Sequence, residues 1–491
     1  MALGKRKREQ QGLWVVTTDL PKSPGHPFYQ KLNQLLAEAH FDHWIENLCR
    51  PHYAETMGRP SIPPGVYFRM ILVGYFEGIG SQRGIAWRCG DSRSLAEFLG
   101  VPANEAAPDH SSMTRTHKRL PLEIHEQVFT FVLKMAADKK LLKGKTVSVD
   151  STTLEANAAM KTIVRKDTGE DWQEYLKRLA QEAGIENPTA EDLVRFDKKR
   201  TDKKVSNEDW QSPTDPDSRI AKMKDGTTHL AYKAEHVVDL DTDLVLSATI
   251  TPANHGDAET LCDSLAQAQI NMKAAGSEAE IEEAVADKGY HKASTLEQAR
   301  AFGWRTYVPE PKRPHRSDWT DKPAAHKAAV YANRRRVRGG RSKRLQRLRS
   351  ERTERSFAHV CETGGGRRTW LRGLKKIRKR YLIQVAARNL GLILRKLFGV
   401  GTPRSLQGLC GLLCAAYLAI RTCWSHYCRH WIATAKRRLF RQIQALGMTP
   451  SSRCRQKRLL QRAASPQNSK VTDIFCLAAD LSHFSIRLFH R

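Results

Sequence analysis

No stretch of the chain reaches the roughly 18–20 consecutive apolar residues of a membrane span. The nearest, residues 66–79, is interrupted by Arg69 and Glu77, and residues 409–420 are too few. The basic start MALGKRKREQ is not followed by the apolar run of a secretory signal. Cysteine is scarce, 10 in 491 residues, too few for a disulfide scaffold. No heptad, collagen-like or solenoid period is visible. A soluble protein of the reducing cytoplasm is expected, with no membrane partner. Acidic residues are also in short supply: 52 Asp and Glu stand against 82 Lys and Arg, a net charge of +30. That field favours a polyanionic partner, most simply nucleic acid. A basic solvated surface, as on a ribosome-associated protein, is the plainer alternative. The 40% hydrophobic content is ordinary, and the length allows two to four domains.

The chain divides by texture. Residues 1–25 read as a basic flexible leader. Residues 26–142 carry helical periodicity, with Phe28, Leu32, Leu35, Leu36, Phe41 and Ile45 on one face. PPGVYFRMILVGYFEGIGSQRGIAWRC reads as a buried helix, a turn at Gly78–Gly80 and a second helix, and Asp109 is an N-cap candidate. Such a unit suits DNA binding or dimerisation, or a plain helical cap. Residues 143–398 alternate differently. TVSVD, HLAYKAEHVVD, LVLSATI, EEAVADKGY and RTYVPE read as five strands, with helices between the later ones. A mixed α/β sheet follows. Residues 161–226 are polar and read as a surface insertion. From Arg334 to Arg380 there are 19 Lys or Arg and three acids, Glu351, Glu354 and Glu362. Residues 399–491 read as a basic helical appendix.

Asp150 and Asp287 each close a predicted strand, where α/β sheets present functional groups. Side by side, two carboxylates repel unless one is protonated or a cation neutralises them. Mg²⁺ suits such hard oxygen ligands, and two ions ~3.5–4 Å apart serve in-line phosphoryl displacement. An aspartate ending an ordinary strand is the competing explanation. A third acid, Glu354, projects into the stripe of Phe357 and Cys361 at 100° per residue. Glu351 lies at the other margin and competes with it. A surface ion pair of Glu354 with Arg352 or Arg355 is the plain alternative.

Several blocks, DSTTLEANAAMKTIVRKDTGEDW, KMKDGTTHLAYKAEHVVDLDT, ADKGYH, AVYANRRRVRGGRSKRL, ERSFAHVCETGGGRRTWLRG and GVGTPRSLQG, together resemble bacterial insertion-sequence transposases of the DDE class over residues 25–408. The resemblance implies a ribonuclease H-like catalytic core, a mixed sheet flanked by helices, that uses Mg²⁺ or Mn²⁺ as two ions. It places the catalytic, metal-binding acids at Asp150, Asp287 and Glu354, 137 and 67 residues apart. It implies double-stranded DNA partners at element ends and target, a homodimer on DNA, and a bacterial nucleoid-associated setting. Some relatives carry Tyr, Arg and Lys at fixed offsets from the glutamate. Here Ser350 stands four before it and Cys361 seven after, with Arg347, Arg349, Arg367 and Arg368 as nearby basic substitutes. Arg334, Arg335, Arg336, Arg367, Arg368, Lys375 and Lys376 are the candidate DNA contacts. The alternatives are a ribonuclease H-like nuclease without strand transfer and a decayed, non-catalytic DNA-binding remnant.

Other motifs carry less. Cys410, Cys414, Cys423, Cys428 and His430 lack the spacing of paired zinc ligands. His255 and Asp257 of ANHGD suit a structural turn better than a place near the catalytic centre. Gly364–Gly366, before Arg367 and Arg368, suits either a phosphate approach or a helix C-cap.

Overall fold

The computed structural model describes residues 25–54, 61–102, 104–201, 206–223, 226–312 and 319–404, within one compact unit that runs to Gln407. Nearly all of the leader, most of the appendix, and the Cys410–His430 group lie outside the described residues. No described helix is long and apolar enough to cross a membrane.

The first 138 residues supply helices α1 (Pro27–Glu38), α2 (Phe41–Cys49), α3 (Pro64–Glu77), α4 (Gln82–Asp91), α5 (Arg93–Leu99), α6 (His110–Arg119) and α7 (Leu122–Asp138). Prolines open α1 and α3, where a missing N–H costs nothing. Ser81, Ser92 and Asp109 cap α4, α5 and α6 by accepting a backbone N–H. Helix α3 is apolar all round and therefore buried all round, with Tyr67, Phe68, Met70 and Val73 at 1% exposure or less. Its one buried charge, Arg69, is satisfied by Asp42.

The second part supplies β1 (Thr146–Glu155), β2 (Val164–Arg165), α8 (Trp172–Glu182), α9 (Ala190–Lys199), β3 (Trp210–Gln211), β4 (Arg219–Lys222), β5 (Thr228–Asp239), β6 (Val245–Pro252), α10 (Asp257–Ala274), β7 (Glu283–Val285), α11 (Ala293–Ala301), β8 (Arg305–Tyr307), α12 (Ala324–Arg338), α13 (Gly340–Phe357) and α14 (Leu374–Phe398). The main sheet runs β4–β5–β1–β7–β8, with β6 also paired to β5. β5 is antiparallel to β1 and β6, whereas β7 is parallel to β1 and β8 to β7. The mixed α/β sheet and the helical N-terminal region are as expected from sequence. Two asparagines finish the sheet's rims by pairing with a residue's N–H and C=O together: Asn389 with Val245 and Asn333 with Val308.

Three features go beyond the sequence reading. The polar insertion lies mostly at the surface and is itself folded. Capping boxes start α8 and α9, β2 pairs with β3, and Trp210, Leu176 and Ala180 are buried. Strand β1 continues five residues beyond Asp150, because β5 pairs with it to Glu155 and residues 367–369 hydrogen-bond to Glu155 on its other side. The Gly364–Gly366 turn faces protein backbone, not an open phosphate approach. A Cβ on Gly364 would lie 2.5 Å from the Tyr75 ring, and one on Gly78 2.8 Å from the Thr363 carbonyl oxygen. The two glycine turns interlock.

Helix α14 packs on α7, α3 and β6. The last helix of the sheet region thus completes the core of the N-terminal helices. Beneath it lies a buried polar group. Tyr67 OH meets His117 Nδ1 at 2.9 Å and His125 Nε2 at 3.3 Å, and Lys379 donates to the His117 carbonyl at 3.0 Å. Burial, with help from neighbouring cations, pushes His117 down to about 3 and His125 down to about 4. Folded values below the unfolded one mean that the unfolded chain takes up protons first, so stability falls as pH drops through about 6.5. Melting temperature should therefore drop steeply between pH 7 and pH 5. Each histidine contributes about 2 kcal/mol of that loss, and His117→Gln/His125→Gln should flatten the dependence. An unchanged slope would remove these histidines as its cause.

Candidate active site

Strand β1 is central because its residues allow it to be. Val147 and Val149 are fully buried on one face, and Ser148 on the other is small enough for α13 to approach. Ser148 Oγ meets Thr353 Oγ1 at 2.7 Å. Asp150 follows on that same face. The β1–β7 register pairs Thr146 with Glu283 and Ser148 with Val285. Extended by two residues, that offset sets Asp287 beside Asp150, one strand spacing away (about 4.8 Å between strands). Asp287 caps a short 3₁₀ turn, its Oδ1 accepting from the Gly289 N–H at 2.7 Å. Tyr290 anchors the turn by donating to the buried Glu235 at 2.8 Å. Asp287, Gly289 and Tyr290 of the ADKGY block therefore each have a task.

Two cations serve the acids. Arg349 Nη1 donates to Asp150 Oδ2 at 2.6 Å, and its Nε donates to Gln346 at 3.1 Å. Gln346 in turn donates to the carbonyls of Ala286 and Tyr307, docking α13 on the ends of β7 and β8. Across the sheet, Lys233 lies 2.7 Å from Asp257, which also accepts from Ser151 Oγ at 2.9 Å. Asp257 thus contacts Ser151, the residue after Asp150, as well as opening α10. The His255 side chain faces solvent, and only its carbonyl reaches Lys233.

Glu354 is exposed, with its Oε1 accepting from Ser350 at 2.9 Å. It does not lie in a buried stripe. The sheet-facing side of α13 is largely polar, carried by Gln346, Arg349, Thr353 and Ser356. After Phe357 the helix widens into a π segment, Ala358–Thr363. A projection at 100° per residue from Glu354 to Cys361 crosses that change of pitch and loses its phase. Glu351 is exposed too and is tied to Arg355, which also binds Asp243. Among the described residues, no three His, Cys, Asp or Glu side chains are arranged to hold one metal ion. Asp150 and Asp287 come together, and Glu354 stays on the flanking helix.

The donor set nonetheless suits a divalent cation. It consists of hard carboxylate oxygens, and the gap between Asp287 and Asp257 is one that a Cβ on Gly289 would fill.

The profile described as "Transposase DDE domain" matches residues 144–390. A second, "Transposase domain (DUF772)", matches residues 19–119. The chain is an insertion-sequence DDE transposase by family. No curated protein matches it significantly. The transposase's predicted basic residues separate by what they touch. Arg334 binds Glu310 through two bonds of 2.7 and 3.0 Å. Arg336 donates to the Thr306 carbonyl and hydroxyl. Arg367 spans Glu362 and the Thr152–Thr153 segment of β1. Arg335, Arg368, Lys375 and Lys376 are exposed. Lys233, Gln346 and Gly289 were not among the sequence candidates. Only Gly289, inside ADKGY, carried a signal.

Burial raises the Asp150 carboxyl, Arg349 pulls against it, and Asp287 and Asp257 add to the rise. A folded value above the unfolded one, about 3.9, means that the ionised group destabilises the fold at higher pH, an effect absent below the unfolded value. Without divalent cation, Asp150→Asn should melt higher than wild type at neutral pH, and the gap should narrow toward pH 4. A lower melting temperature for the variant at neutral pH would mean that the Arg349 pair outweighs burial.

Proposed function

We propose that this transposase binds the DNA ends of an insertion sequence, cleaves them in a Mg²⁺-dependent reaction and transfers the freed 3′-OH to target DNA. The observation that carries the reading is the in-register placement of Asp150 and Asp287 at the point where parallel strand β7 ends, in a chain of the DDE family. The β6–β5–β1–β7–β8 order, antiparallel then parallel, supports the ribonuclease H-like core. Asp150 and Asp287 would hold the ions, with Glu354 reaching them from α13. When bound, Mg²⁺ activates the attacking oxygen and stabilises the leaving one. The chain's own part is positioning. β1 and the 3₁₀ turn fix the two aspartates, and Gln346 fixes Arg349 beside Asp150 at the edge where a phosphate would enter. Strand transfer by paired ends calls for two subunits on the DNA.

Asp150→Asn, Asp287→Asn and Glu354→Gln should each abolish Mg²⁺-dependent cleavage of element-end DNA while binding survives. A residue whose substitution leaves cleavage near wild type is not in the site. Glu354's exposure favours a second reading, a DNA-binding remnant. It would be established by a wild-type protein that binds element ends and never nicks them. Cleavage with no joined product would instead indicate a nuclease.

Phosphate contacts go to the exposed cations. Removing Arg335, Arg368, Lys375 or Lys376 singly should flatten the log–log salt dependence of DNA binding by about 0.9 where a phosphate is neutralised. Arg334→Gln and Arg336→Gln should lower melting temperature and leave that slope unchanged. A binding titration at three salt concentrations separates the two groups, and a slope changed by Arg336→Gln would reverse its assignment.

A further inference from the structure

Asp257 opens α10, and a first-turn acid ordinarily serves the helix dipole. Its surroundings ask more of it. Oδ1 takes both Ser151 Oγ and the Lys233 ammonium, and Ser151 directly follows Asp150. Oδ2 is turned the other way. A Cβ on Gly289 would lie 2.9 Å from Asp257 Oδ2 and 3.0 Å from Asp287 Oδ1, so these oxygens are at most about 6 Å apart. Glycine keeps that gap open.

Lys233 has a second acidic partner besides Asp257. Glu235, 3% exposed, lies 3.8 Å from it. Glu235 also accepts from Thr260, Ser264 and Tyr290. Four formal negative charges, on Asp150, Asp257, Asp287 and Glu235, thus meet two positive ones, on Arg349 and Lys233. The excess equals the charge of one divalent ion. Like charges this close repel unless a proton or a cation intervenes.

We infer that Asp257 is a further carboxylate of the catalytic centre, sharing a divalent cation with Asp287, and that Lys233 and Ser151 are the positioning residues that aim it. The inference rests on the reading of Asp150 and Asp287 as a cation site.

Calorimetric titration of the full chain with Mn²⁺ alone tests it, with melting temperature as the check on folding. Asp287→Asn and Asp257→Asn should each weaken Mn²⁺ binding at least tenfold. Gly289→Ala, which keeps every charge but fills the gap, should weaken it comparably, and it decides the matter if Asp257→Asn does not fold. Loss in Asp287→Asn with wild-type binding in Asp257→Asn or Gly289→Ala would overturn this inference and leave the two-aspartate site standing. A wild-type chain without saturable Mn²⁺ binding, or Asp287→Asn binding as wild type does, would overturn the cation site itself and this inference with it.

Discussion

Parallel pairing between β1 and β7 is the constraint on which the rest of this transposase depends. Two strands of unlike length run in register and end at different points. Asp150 continues along β1, while Asp287 turns away at the end of β7 to cap a 3₁₀ turn. Both carboxylates therefore arrive at one notch in the sheet. A slip of one residue would send Asp150 to the opposite face. Burial of Val147 and Val149 guards against that slip.

A notch lined with carboxylates is electrostatically costly, and the fold meets the cost from both faces. On one side α13 brings Arg349, held by Gln346. On the other, β5 brings Lys233. The helix that supplies Arg349 docks through serine, threonine and glutamine as well as through Leu345, which is buried against Leu240, Val285 and Tyr307. Its path is set by hydrogen bonds to β1, β7 and β8 ends and by His236, which joins Ser356 to Tyr381. Directional contacts of this kind specify where a guanidinium stands more narrowly than apolar packing does.

The helical region is not a separable appendage. Helix α14 fills the space between α3, α7 and β6, and the turns at Gly78 and Gly364 meet backbone to backbone. A DNA contact made on the helices would act on the same rigid body that holds the acids. Two of the three arginines at 334–336 have structural tasks, because Glu310 and Thr306 lie within their reach. A run of basic residues in sequence is thus not one surface in space.

The sequence alone determined the class of protein: the mixed sheet with its helical preface, the cap at Asp109, the pairing of Asp150 with Asp287, and the family. Those properties follow from local alternation, short-range capping and motifs whose spacing survives without the fold. Tertiary structure alone decided the rest. The side of α13 that faces the sheet depended on Ser148 being small and on a π segment that broke the helical phase. The cation beside Asp150 depended on which of many arginines Gln346 could orient. Asp257 stands against Gly289, 32 residues further along the chain, because α10 starts across from it. Each is a contact between distant segments, and in a chain this rich in charge many pairings are open to every acid until the fold leaves one within reach.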